Sequence, residues 1–397
     1  MGHSATPSAQ LSQATVAIHG DEAFDLLQDG APALHFATTF RYCDDPNDLV
    51  PVPHRKYDSE GPPEYYYSRI AAPTNDRFEA ALSKVLEADA FTFPSGLSAF
   101  HPALLLLNPK RIAIRDDFYF GCQAVIDIVA RLSGIQKIPL DSSSEELEAG
   151  DLVFLETPLS PSGHALDIAR YAEKAHARGA YLFVSSTLAP PGLQNPFAQG
   201  ADLVMHAGSK YFGGHADMLC GILAVRNADW SKQIRKDRSI LGNVLSSFDS
   251  WLGLRSLRTL PLRVQRQSQS TADLVSWLVS RLEGDSEDSS LLKSAIESVG
   301  HTSLQQSDFP WLLLQMPNGF GSVFSVTMKS DVMARILPAK LKLFRHQTSF
   351  GGVESSVEWR KMSDVGCDSR LLRFSVGLEA REDLRDDILS AVRGIVV

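Results

Sequence analysis

From residue 74 onward, apolar and polar positions alternate in short blocks of two kinds. Helical spacing of apolar residues runs over Asn75 to Leu86 and Ser98 to Leu107, while brief apolar runs at Ala90 to Phe93 and Arg111 to Ile114 read as strands. The alternation continues with a strand at Asp151 to Leu155, an Ala-rich helix over Asp167 to Arg178, and strands at Tyr181 to Val184, Leu203 to His206 and Gly221 to Val225. Apolar strands separated by helices predict an α/β fold, with a mostly parallel sheet covered by helices on both faces. After Leu260-Pro261 the pattern becomes a basic, Gln-rich helix over Arg263 to Arg281 and a Ser/Asp/Glu loop near Gly284 to Ser290. Short strands follow near Val323 to Met328 and Leu371 to Val376. The expected organisation is an N-terminal arm and connector (1–60), a large α/β domain (61–260) and a smaller C-terminal α+β domain (261–397). The connector, Tyr42 to Pro63, is dense in Pro, Asp and Glu and should be irregular.

Composition narrows the chemistry. The chain has 397 residues, 44% hydrophobic and 21% charged, with net charge -9; it carries no electrostatic footprint for nucleic acid or an anionic membrane. Cys43, Cys122, Cys220 and Cys367 lack CxxC spacing, and His206, His215 and His346 lack metal-ligand spacing. The histidines therefore read as satisfied structural residues, and no metal is expected. No apolar stretch approaches the roughly 20 residues that span a bilayer. Met1 to Gln13 is polar, without a basic region followed by an apolar one, so a frayed or partner-bound arm and a cytoplasmic location are expected. Gly-x-Ser-x-Gly, P-loop and complete Gly-x-Gly-x-x-Gly motifs are missing, which sets aside hydrolase, NTPase and dehydrogenase readings.

Ligands in such sheets gather at the carboxyl ends of the strands, where Ser95-Gly96, Glu156, Ser185 and Ser209-Lys210 fall. Lys210 follows an apolar run and is flanked by small residues and two glycines, a setting that suits an imine with an aldehyde. Ser95-Gly96-Leu97 stands between a strand and a helix, and is either a phosphate cradle built on the helix N-terminus or a plain strand-helix turn. Arg373 lies inside an apolar run and requires an anion. That anion is either a ligand carboxylate or a structural one such as Glu379.

Taken in order, several segments resemble the Cys/Met-metabolism, or trans-sulfuration, family of pyridoxal-phosphate enzymes, which includes cystathionine lyases and synthases. They are Thr15 to Gly20, Tyr67-Ser-Arg69, Ser95 to Ala99, Ser209-Lys-Tyr211, Phe248 to Leu252, Ser349 to Ser355 and Leu371 to Glu379. The resemblance covers nearly the whole chain and implies the aspartate aminotransferase-type fold and pyridoxal 5'-phosphate as cofactor. It implies an imine at Lys210, a phosphate site at Ser95, Gly96, Leu97 and Ser209, and Tyr119 stacked on the pyridine ring and relaying protons. Tyr67 and Arg69 would reach the phosphate of a neighbouring subunit, in a dimer or a dimer of dimers (a homotetramer). Arg373, Ser349 and Thr348 would meet the substrate. That substrate is implied to be an amino acid with a leaving group at the β or γ carbon, with Lys210 moving the α-proton.

The chain also departs from the pattern. Ser185 stands where relatives have an aspartate at the pyridine nitrogen, Ser160 where they have asparagine, Ala207 where they have serine and Phe350 where they have leucine. A nearby carboxylate raises a cation's pKa by roughly 1 to 3 units, about 1.4 to 4 kcal/mol. Its loss leaves two expectations: a retained cofactor with altered chemistry, which the remaining motifs favour, or a family-fold protein that has abandoned this catalysis for binding or an unrelated reaction.

Overall fold

The computed structural model describes residues 11–24, 30–51 and 64–396. Most of the Met1 to Gln13 arm and of the Tyr42 to Pro63 connector lies outside the described residues. The described helices include α1 (Gln13–His19), α2 (Pro73–Leu86), α3 (Gly96–Leu107), α4 (Phe120–Ser133), α5 (Ile168–His176), α6 (Ala228–Leu241), α7 (Ser247–Leu257), α8 (Leu260–Glu283) and α9 (Glu287–Ala295).

The larger sheet has strands β1 (Asp89–Phe93), β2 (Arg111–Ile114), β3 (Gln136–Pro139), β4 (Leu152–Glu156), β5 (Tyr181–Ser185), β6 (Leu203–Ala207) and β7 (Gly221–Val225), in the order β1-β7-β6-β5-β4-β2-β3. Every neighbouring pair is parallel except those made by β7, which runs antiparallel to β1 and β6. The α/β expectation holds, and strand alternation explains the two covered faces. Val153, Leu155, Leu182 and Val184 point into a core shared with α2, α5 and α7. Leu152, Phe154 and Phe183 point into the opposite core, shared with α3, α4 and α6.

Aromatic packing fixes α3. Phe100 meets Phe154 edge-on at 4.9 Å and stacks on Phe183 at 5.5 Å, and all three rings are buried. Burying one such ring is worth roughly 1.5–3 kcal/mol, so α3 is held with its N-terminus at the carboxyl edge of the sheet.

The smaller sheet contains β8 (Ile296–Gly300), β9 (Val323–Met328), β10 (Arg345–His346), β11 (Ser356–Trp359) and β12 (Leu371–Ser375), ordered β10-β11-β12-β9-β8. Its core joins Phe324, Val326 and Phe374 to Leu274 and Leu278 of α8 and Leu292 of α9. One expectation fails here: the Ser/Asp/Glu stretch near Gly284 to Ser290 is not all loop. Helix α9 starts within it, because Ser286 caps the helix by accepting the Ser289 N–H at 3.2 Å, and Glu287 and Asp288 complement the helix dipole. No helix among the described residues is long and apolar enough to cross a membrane.

Candidate active site

Lys210 sits three residues beyond the end of β6, in a tight turn. Its N–H donates to the Ala207 carbonyl at 3.0 Å, and its own carbonyl accepts the Gly214 N–H at 2.7 Å. Nζ donates to Ser349 Oγ at 2.7 Å and lies 5.1 Å from the centre of the Phe350 ring. Burial first, and then the Arg373 charge, bring the Lys210 pKa down from 10.5 to about 8 against the opposing pull of Glu358. A lysine held this way is readily available as a neutral amine.

Of the thirteen residues singled out from the sequence, all but Tyr67 and Arg69 line one cavity of about 790 Å³. On one side the cavity meets the start of α3. Ser95 accepts the Ser98 N–H at 3.1 Å, while the first-turn N–H groups of Gly96 and Leu97 have no intrahelical acceptor. Close approach makes this turn possible. A Cβ on Gly221 would fall 2.0 Å from the Ser95 carbonyl oxygen, and one on Gly96 would fall 3.2 Å from Ala207 Cβ. Ser209 Oγ accepts the Cys220 N–H at 2.8 Å and donates to its carbonyl at 3.3 Å, so this hydroxyl also ties the Lys210 turn to the start of β7.

The opposite wall carries Arg373 on β12. Its Nη1 donates to Ser160 Oγ at 3.1 Å and its Nη2 to the Ser349 carbonyl at 3.0 Å. The structural anion is Glu358, its cross-strand partner on β11, with Nη2 and Oε2 2.6 Å apart. The expectation of Glu379 is therefore corrected: that carboxylate accepts the Ser355 N–H at 2.7 Å and its hydroxyl at 2.8 Å. Burial lowers the Arg373 pKa to about 10, against the pull of Glu358, and leaves it charged at neutral pH. Ser349, with φ +82°, is held in the left-handed region that a serine rarely adopts. Lys210 and Arg373 grip its hydroxyl and carbonyl, and such strain concentrates at functional sites.

Ser185 ends β5, directly beside Glu156 in the register, and its hydroxyl lies 3.3 Å from Thr187 Oγ1. Glu156 accepts the Tyr119 N–H at 2.9 Å; burial raises its pKa to about 7, and the N–H groups of Tyr119 and Ser160 counteract the rise. Tyr119 is about half exposed at the cavity wall. Burial of the rest of the ring, and then Cys122 and Glu156, push its phenol up. Thr348 completes the wall beside Ser349.

Tyr67 and Arg69 lie elsewhere. Arg69 sits over the Tyr67 ring at 5.3 Å and donates to the Ser239 carbonyl. His206 is fully buried edge-on to Phe212; burial lowers its pKa to about 3 and keeps it neutral. Arg360, also on the cavity wall, was missed from the sequence. It follows β11, and nothing in the local pattern shows which way it points.

The pattern of the Cys/Met metabolism PLP-dependent enzyme family matches residues 14–393. The chain belongs to that family. It is 29% identical to a chloroplastic cystathionine beta-lyase of Arabidopsis thaliana, over 96% of this chain and 80% of the relative. It is 29% identical to a cystathionine gamma-lyase of Bacillus subtilis, over 83% and 89%. Among solved structures, a methionine gamma lyase from Micromonospora echinospora superposes with TM-score 0.82 at 30% identity, over 96% and 99% of the two chains. The protein is thus a PLP-dependent enzyme of the trans-sulfuration type, with pyridoxal 5'-phosphate as cofactor and the type I fold of such enzymes.

The residues present fit that cofactor. Lys210 and the first-turn residues Gly96 and Leu97 of α3 line the same cavity, and Gly96 leaves room beside Ala207. At the end of β5 the chain offers the uncharged hydroxyl of Ser185 instead of a carboxylate.

Proposed function

We propose that this enzyme cleaves or replaces a carbon–heteroatom bond at the β or γ carbon of an amino acid, with a carbon–sulfur bond as the leading case. One observation carries the reading: Lys210 Nζ stands in a single cavity between the N-terminus of α3 and the guanidinium of Arg373. Pyridoxal phosphate supplies, when bound, an aldehyde for imine formation and a ring that withdraws electrons from the amino acid.

The chain's own groups do the rest. The start of α3, with Ser95, Gly96 and Leu97, receives the phosphate through backbone N–H groups and the positive end of the helix dipole. Lys210, about half of it neutral at pH 8, would hold the cofactor through its aldehyde carbon and, once the substrate's amine has displaced it, would take the proton from the substrate's α-carbon. Ser349 Oγ, 2.7 Å from Nζ, aims the amine. Arg373, fixed by Ser160 and Glu358, binds the α-carboxylate and sets which bond lies in line for cleavage. Tyr119 faces the ring and passes a proton to or from the leaving group. Serine at position 185 favours leaving groups good enough to depart without full protonation of the ring. Tyr67 and Arg69, outside their own chain's cavity, serve a neighbouring subunit in a dimer or a dimer of dimers, and the site is cytosolic.

The test is a panel of S-substituted cysteines and O-acylated homoserines with the PLP-loaded enzyme, scoring release of thiol, ammonia and keto acid. Turnover by wild type that Lys210→Ala abolishes is expected. A protein that takes up pyridoxal phosphate yet turns over none of the panel contradicts the reading and supports a binding role.

A further inference from the structure

The cavity wall holds a second guanidinium that neither the cofactor nor the α-carboxylate uses. Arg360 is 9% exposed, lines the cavity and donates through Nη1 to Glu358 Oε2 at 2.7 Å. Arg373 Nη2 approaches the same oxygen at 2.6 Å. Two buried cations therefore share one carboxylate oxygen, while Glu358 Oε1 and Arg360 Nε are buried without any partner. A guanidinium has five N–H donors, and Arg360 directs only one of them to an acceptor among the described residues. Arg373 is better satisfied, with Ser160 and Ser349 in addition to Glu358. The wall keeps a surplus positive charge, and burying charge is costly unless an anion meets it. Of the other acids that line the cavity, Asp117 is paired with Arg115 at 2.6 and 2.8 Å, while Glu156 and Asp364 accept the Tyr119 and Gly366 N–H groups; the ion pair that Arg360 makes among the described residues is with Glu358.

We propose that Arg360 is a specificity residue that binds a second carboxylate, carried on the side chain or leaving group of the substrate, while Arg373 holds the α-carboxylate. The substrate class is then an amino acid that is acidic at its far end. The cross-strand placement of Glu358 and Arg373 fixes the first arginine, and the chain's exit from β11 delivers the second to the same oxygen. This inference rests on the assignment of the cavity as the amino-acid site.

The test compares S-(carboxymethyl)cysteine with S-(carbamoylmethyl)cysteine, which differ in charge but scarcely in shape, by equilibrium binding to PLP-loaded enzyme. A charge-assisted hydrogen bond is worth about 1.5–3 kcal/mol, so wild type should prefer the carboxymethyl compound by about 10- to 100-fold. In Arg360→Met the ratio should fall to near one, and Arg360→Lys should keep part of it. Glu358 retains Arg373 in both variants, and their melting curves report folding. Equal binding of the two compounds by wild type, or an undiminished ratio in Arg360→Met, overturns the proposal. Borohydride trapping at Lys210 on the same samples separates the two ideas. A trapped linkage with a ratio near one sinks only the Arg360 assignment, whereas no linkage sinks the reading of the cavity itself. In that second case succinate binding that needs Arg360 still supports the anion site, and binding that ignores Arg360 removes it.

Discussion

Replacing Lys210 with methionine should stabilise the cofactor-free protein. Burial lowers the lysine's pKa from 10.5 to about 8 in the folded state. Between those values the unfolded chain holds a proton that the folded chain has released, so stability rises with pH through that window. Below about pH 8 both states are protonated, and the folded protein bears the full burden of a buried ammonium group. At about 1.4 kcal/mol per pH unit, that burden is about 3 kcal/mol. Methionine has similar length and no charge. It forfeits the 2.7 Å hydrogen bond to Ser349, worth about 1 kcal/mol. The expected net gain for Lys210→Met is about 2 kcal/mol near pH 7, shrinking to nearly nothing by about pH 10. Urea unfolding of cofactor-stripped wild type and variant at both pH values measures it. A variant less stable than wild type near pH 7, or a difference that does not change with pH, would refute the reasoning.

Three further outcomes follow from the same geometry. Glu358→Gln leaves Arg360 and Arg373 buried side by side without their anion and should cost about 3–5 kcal/mol, read as a lower melting temperature; an unchanged one contradicts the shared-carboxylate arrangement. Ser185→Asp should raise the pKa of the cofactor's ring nitrogen by roughly 1 to 3 units, changing both the absorption spectrum with amino acids and the turnover rate. If neither moves, Ser185 does not face that nitrogen. Gly96→Ala places a methyl group 3.2 Å from Ala207 Cβ, and overpacking of this kind costs about 1–3 kcal/mol. The variant should therefore release pyridoxal phosphate more readily on dialysis, and equal retention would show that the start of α3 is not the phosphate cradle.

The central strands were legible because they are buried on both faces and read as continuous apolar runs; Leu152–Glu156 and Gly221–Val225 are buried at every position. Three of the strands that escaped notice lack that signature, and the fourth, Ser356–Trp359, is buried but carries Ser356 and Glu358 where an apolar run would have marked it. Gln136–Pro139 is a largely exposed edge strand, Ile296–Gly300 is buried only at its first residue, and β10 has two residues. Helix α9 was hidden because serine and acidic residues mark loops and helix starts alike. In the site, Lys210 and Ser95 stood out because each follows an apolar strand among small residues, and Arg373 because it interrupts the apolar run of β12. Glu358 and Arg360 did not, since their meaning depends on β11 pairing with β12, a contact that no local pattern encodes.

The most direct test of the account is borohydride reduction of the protein in the presence of pyridoxal phosphate, followed by peptide mapping. The account predicts a pyridoxyl group on Lys210, with the visible absorption band lost on reduction and missing from Lys210→Ala. A pyridoxyl group on a different lysine, or none on any, would contradict it.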